Sequence, residues 1–167
     1  MGDRRRIIIL GERAEDWPPA LRLLRQLQEG PVPPAVGFWV LTGWPPAWWA
    51  DDGSGGGWLW WRQEMLAAAE ETLRAGRRQA GLAGYGSAGD RIWVGAGRAQ
   101  LATALVAERV SLLVAASPGG SRLRRLLAAL IVGGPVPVAV AVRSRPPLPF
   151  PVGAVLAAPE AEGRGEP

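Results

Sequence analysis

Residues 110–142 read VSLLVAASPGGSRLRRLLAALIVGGPVPVAVAV, and this stretch decides the fold class. Residues 110–116 are almost wholly apolar, the pattern of a strand covered on both faces in a parallel sheet. Pro118-Gly119-Gly120 interrupts the run, and Ser121 stands where a helix N-cap belongs. A helix is expected to about Ile131, before Gly133-Gly134-Pro135 and Pro137 end it. Residues 136–142 then alternate Val with Pro or Ala, which reads as another strand. A transmembrane helix needs roughly 20 unbroken apolar residues. The glycines and prolines between 126 and 142 leave a strand–helix–strand unit instead.

The pattern repeats upstream. Residues 7–10 form a short β-branched run between Arg4-Arg5-Arg6 and Gly11. Asp16 is the expected N-cap of a first helix, with Ala20, Leu21, Leu24 and Leu27 at helical spacing and Gly30-Pro31 as its stop. Residues 36–42 are a second strand and 45–57 a loop carrying Trp48-Trp49 and Gly53-Ser54-Gly55-Gly56-Gly57. A helix is expected from about 59 to 78, with Met65, Leu66, Ala69 and Leu73 inward and Glu70 paired to Arg74 at i,i+4. After the glycine-dense 81–89 come a strand at 91–94 and a helix marked by Leu101, Leu105 and Val106. Five strands alternating with helices predict an α/β fold, an open five-stranded parallel sheet with helices on both faces. Residues 1–143 are expected to form the domain, and the Pro/Gly/Glu-rich 144–167 a poorly ordered tail.

Composition excludes much chemistry. The 167 residues include no Cys, His, Lys or Asn, so all 19 basic residues are Arg. That removes a Ser-His-Asp triad, a Cys nucleophile, Cys/His zinc sites, a P-loop lysine and a Schiff-base lysine. The pI near 11.1 overstates basicity, because arginine does not titrate and the net charge is only +4. Nucleic acid is therefore not an expected partner. No signal-peptide core or membrane span is legible, so a cytoplasmic protein is expected. Carboxylate pairs Asp51-Asp52 and Glu70-Glu71 are read as solvated charge, and no catalytic residue or metal ligand is assigned.

The residues from Leu112 to Leu130 resemble the C-terminal half of universal stress protein domains. The upstream RIWVGAGRAQLATALVAERVSLLVAAS resembles that family's third strand, turn and third helix, and the order of elements agrees over residues 4–143. The resemblance implies strand order 3-2-1-4-5, a homodimer through the last strand, and in many members ATP bound through Gly-x2-Gly-x9-Gly-[Ser/Thr]. Those motif positions fall here on Ala116, Gly119, Ala129 and Leu130, so one of four is kept. The family's first-strand Asp falls on Gly11, with Glu12 beside it. A Cβ at 116 stands where backbone must approach phosphate, Leu130 offers no hydroxyl, and Pro118 lacks an N–H.

The cofactor-binding candidates are Ser117, Gly119, Gly120 and Ser121, a glycine loop opening a helix whose N–H groups and dipole favour an anion such as ATP or AMP. A tight turn with an N-cap explains the same residues. Gly95-Ala96-Gly97 is read as a turn rather than half a dinucleotide fingerprint. Seven of the nine tryptophans crowd into positions 39–61. Trp39 is expected in the core, Trp60 or Trp61 against the sheet, and Trp48 and Trp49 exposed as a protein-partner surface. The function expected is binding and association in a stress response, without efficient ATP binding and without catalysis. An adenine-nucleotide sensor is the alternative, and a phosphoanhydride hydrolase the least favoured reading.

Overall fold

The computed structural model describes residues 5–28, 30–44, 56–116, 121–141 and 154–157. In chain order they form β1 (Arg6–Gly11), a 3-10 turn (Ala14–Asp16), α1 (Trp17–Leu27), β2 (Ala35–Thr42), α2 (Gly56–Leu82) and β3 (Gly86–Ser87). There follow β4 (Arg91–Val94), α3 (Arg98–Ala107), β5 (Leu112–Ala116), α4 (Ser121–Gly133), β6 (Val138–Ala141) and β7 (Ala154–Ala157). The sheet runs β3-β2-β1-β5-β6-β7, with β4 also paired to β2 beyond β3. All pairings are parallel except β6 with β7. Taken over the five strands expected from sequence, β4-β2-β1-β5-β6 is the order 3-2-1-4-5.

Alternation along each strand divides the core into two layers. Ile7 and Ile9 of β1, Val36, Phe38 and Val40 of β2, and Val114 of β5 pack in one layer with Trp17, Leu24 and Ala69 of α1 and α2. Ile8 and Leu10, Trp39 and Leu41, and Leu113 and Ala115 point the other way, onto Leu101 and Leu105 of α3 and Leu123 and Leu127 of α4. This period of two explains the continuous apolar strands: each side chain is buried whichever face it takes.

Asp90 joins the layers of the β2 side. Its Oδ1 accepts the Phe38 N–H at 2.8 Å, and its Oδ2 pairs with Arg77 of α2. The carboxylate thus satisfies a backbone donor in the interval between β3 and β4 and ties the long helix to the sheet.

Several local expectations change. Helix α2 begins at Gly56 and runs to Leu82, so Gly56 and Gly57 lie in the helix and not in the loop. Only Ala69, Gly76 and Ala80 are buried along it; Met65, Leu66 and Leu73 are half-buried. Gly86–Ser87 adds a short strand within the expected connection. Asp16 does not cap α1: its Oδ2 reaches backwards, accepting the N–H groups of Glu12 at 2.9 Å and Arg13 at 3.0 Å. In the expected tail, Ala154–Ala157 lies antiparallel on β6, with Val138 opposite Ala157 and Ala141 opposite Ala154. Strand β7 therefore occupies the edge of β6 on which the expected dimer contact depends.

Candidate functional site

Open α/β sheets bind ligands beyond the carboxyl ends of their strands, where the connections reverse direction. Here the reversal lies between β1 and β5, with Gly11 and Ala116 as the last strand residues and Ser121 opening α4. Ser117, Gly119 and Gly120 lie outside the described residues, as do Trp48, Trp49, Asp51 and Asp52. Ser121, expected as the N-cap, is instead the first residue of α4, one position inside the helix.

On the β1 side the crevice is filled by the chain itself. A Cβ on Gly11 would stand 2.7 Å from Cζ3 of Trp17 and 3.1 Å from Cβ of Asp16. The Trp17 ring is fully buried, donates its indole N–H to the Thr72 carbonyl at 2.8 Å, and meets Phe38 edge-on with centroids 5.1 Å apart. The Asp16 carboxylate is turned onto its own loop by the two N–H bonds described above. Glycine is thus required at 11 by the approach of an indole, and a longer side chain there has no room.

The β5 side carries Ala116, 1% exposed, and Leu130, also 1% exposed and packed in the α3/α4 layer. The position at which the resemblance calls for a hydroxyl therefore holds a core side chain. Ala129 beside it is half-buried.

The outer part of the same edge is aromatic. Trp44, two residues beyond β2, stacks on Trp58 of α2 with centroids 6.0 Å apart and planes at 16°. Trp58 stacks in turn on Trp61 at 5.6 Å and 24°. Trp44 is 63% exposed, and Leu59 and Trp60 are exposed beside the stack. The expectation that Trp60 or Trp61 packs against the sheet is corrected: Trp60 is 56% exposed, and Trp61 spends its face on Trp58. The first residue of α2 to be buried is Ala69, so the tryptophans nearer its start stack on one another. Sequence spacing alone could not pair Trp44 with Trp58 across the intervening loop.

Gly95-Ala96-Gly97 is the turn expected. Gly95 has φ +63° and lies against the Trp44 indole, while Ala96 is buried. The Gly97 N–H is already donated to Gln100 Oε1 at 3.0 Å, so the N–H that an anion would use at this helix start has a partner. Among the described residues no group of three acidic side chains is placed to hold a metal ion. No described helix is long and apolar enough to cross a membrane.

These features define an open, doubly wound α/β protein whose carboxyl edge is closed at the β1–α1 junction. No protein-family model and no curated protein matches the chain. Among solved structures it is similar to the hypothetical protein MJ0577, with a TM-score of 0.63 at 14% identity over 84% of this chain and 97% of that one. It is also similar to the hypothetical protein PH0823, with a TM-score of 0.46 at 15% identity and the same coverages. At such identity the first likeness shows the fold.

Proposed function

We propose that the protein is a universal-stress-protein-like module of the cytoplasm that acts by binding and association in a stress response, without catalysis and without efficient ATP binding. The observation that carries the reading is the closure of the β1–α1 junction. Where the family resemblance calls for a carboxylate, Gly11 is walled by Trp17, and Asp16 is engaged by its own loop. Ala116 and the buried Leu130 support it from the β5 side.

The stacked Trp44, Trp58 and Trp61 support association. Rigid aromatic faces supply contact area at little cost in side-chain entropy, and they are enriched at protein–protein interfaces. The partner is read as a protein, with a second copy of the chain among the candidates.

The test is direct. Protein denatured after purification should release no stoichiometric nucleotide, and ATP and AMP titrated by calorimetry should give no saturable heat in the submillimolar range. Submillimolar binding abolished by Gly119→Asp would overturn the reading in favour of an adenine-nucleotide sensor using the 117–121 loop.

A further inference from the structure

At the opposite, amino edge of the sheet lies a cleft of about 490 Å³. Its polar lining is Arg5, Arg6, Ser87, Glu108, Arg109 and Ser111, brought together from the starts of β1 and β5, the end of β3 and the two residues that follow α3.

The charges in this cleft do not balance. Glu108 is its one acidic group and is held from two sides. Arg6 donates to the Glu108 carbonyl at 2.8 Å and stands 3.8 Å from its carboxylate, and Arg91 reaches the same carboxylate at 2.6 Å. The guanidinium groups of Arg5 and Arg109 have no partner among the described residues. The Ser111 hydroxyl donates to the Arg6 carbonyl at 2.9 Å, which leaves the exposed Ser87 as a hydroxyl donor on the wall.

Arg109 carries a second, independent anomaly. It follows α3 in a left-handed conformation, φ +52°, as the only non-glycine residue with positive φ among those described. The helix ends in a Schellman motif: Arg109 N–H bonds the Val106 carbonyl at 3.0 Å and Val110 N–H the Leu105 carbonyl at 3.0 Å. Glycine is the usual occupant of that slot, because a Cβ is strained there. The four other positive-φ positions, 30, 84, 89 and 95, are all glycine. A chain with 23 glycines thus retains a strained arginine at this cap, and the backbone gains nothing from it. Complementing the helix dipole is a lesser explanation, since Glu108, Arg109 and Val110 N–H groups already satisfy the carbonyls of Ala104, Val106 and Leu105.

We propose that the amino-edge cleft binds a small polyanion with closely spaced phosphate or carboxylate groups, gripped by Arg5 and Arg109 with Ser87 at its side and Arg6 behind. Guanidinium forks match the paired oxygens of either group, and the cleft admits a small molecule. The site is separate from the carboxyl-edge crevice and does not depend on the function proposed above.

The test is calorimetry on the full chain with pyrophosphate and, in a second arm, citrate; the tighter arm identifies the phosphate or carboxylate source. One saturable site per chain is expected. Arg109→Gly and Arg5→Gln should each weaken it about tenfold, the loss of one charge-assisted contact, while Arg22→Gln on α1 leaves it unchanged. Arg109→Gly should melt no lower than the parent, so loss of binding cannot be ascribed to misfolding. Absence of saturable heat with both anions at millimolar concentration overturns the proposal. So does undiminished binding by Arg109→Gly and Arg5→Gln. Binding of a single-stranded oligonucleotide without either small anion would assign the patch to nucleic acid instead. Should ATP bind, sensitivity to Arg109→Gly places it here, and sensitivity to Gly119→Asp places it at the carboxyl edge.

Discussion

Gly11 and Trp17 constrain each other, since the indole that fills the β1–α1 junction leaves no space for a Cβ. Gly11→Ala is expected to lower stability by about 1–3 kcal/mol, the cost of overpacking a filled site, read as a shift of the urea midpoint at constant slope. Gly11→Asp restores the residue type found in the family that the sequence resembles, yet it should destabilise further and yield no ATP binding. Asp90→Ala leaves the Phe38 N–H without its partner and strips Arg77 of its ion pair, with only the Val36 carbonyl at 3.3 Å still accepting from it, and should cost about 1–3 kcal/mol. Tyr85, the single tyrosine, is buried with its hydroxyl donating to Gln28 Oε1 at 3.3 Å. Burial pushes its pKa above the ordinary value near 10, with Arg25 opposing part of the effect. The neutral phenol is therefore the form the fold favours. Its contribution to stability is complete below the unfolded value near 10 and is lost as pH rises through the higher folded one. Absorbance at 295 nm should show one tyrosinate transition centred above that of the urea-unfolded chain; coincident midpoints would contradict the assignment.

At the scale of elements, β7 is the strand with the largest consequence. It covers β6 in antiparallel register over four residue pairs, and an uncovered parallel edge is a template for pairing with another chain. Truncation before residue 150 should free the β6 edge and produce concentration-dependent association in light scattering, while the full chain does not associate through that edge. Equal association by both forms would place any dimer contact elsewhere, with the Trp44–Trp58–Trp61 stack the next surface to test. The amino half of α2 presents that stack, having no buried residue before Ala69. Trp58→Ala removes the middle ring and should reduce partner or self-association while leaving the thermal midpoint within a few degrees.

For the whole molecule, one sheet serves both cores. Leu24 lies in the α1/α2 layer and Leu105 in the α3/α4 layer, both fully buried. Neither layer can open without uncovering the same strands, so the described domain should unfold in one step. Leu24→Ala and Leu105→Ala are each expected to lower stability by about 2–5 kcal/mol, with far-UV circular dichroism and tryptophan fluorescence following a single coincident transition. Separate transitions for the two probes would show that the layers are independent.

The sequence alone determined the class of fold. Short apolar strands between helical stretches can be buried only in a parallel sheet covered on both faces, and the strands around 7–10, 36–42, 91–94, 110–116 and 136–142 stand in the order that the resemblance implies. Local signals carried that far because periodicity and Gly/Pro breaks act within a few residues of chain. Tertiary structure decided everything that depends on contacts across it. Asp16 looked like a helix cap, but the folded loop offered it two nearer N–H groups. Trp17 gave no sign of sealing the crevice, because its partners Gly11, Phe38 and Thr72 meet it only in three dimensions. Ala154–Ala157 lies in a stretch whose Pro and Gly content reads as disorder, yet it finds a ready edge on β6. Arg5 and Arg109 are 104 positions apart in the chain and share a cleft only because β1 and β5 are neighbours in the sheet.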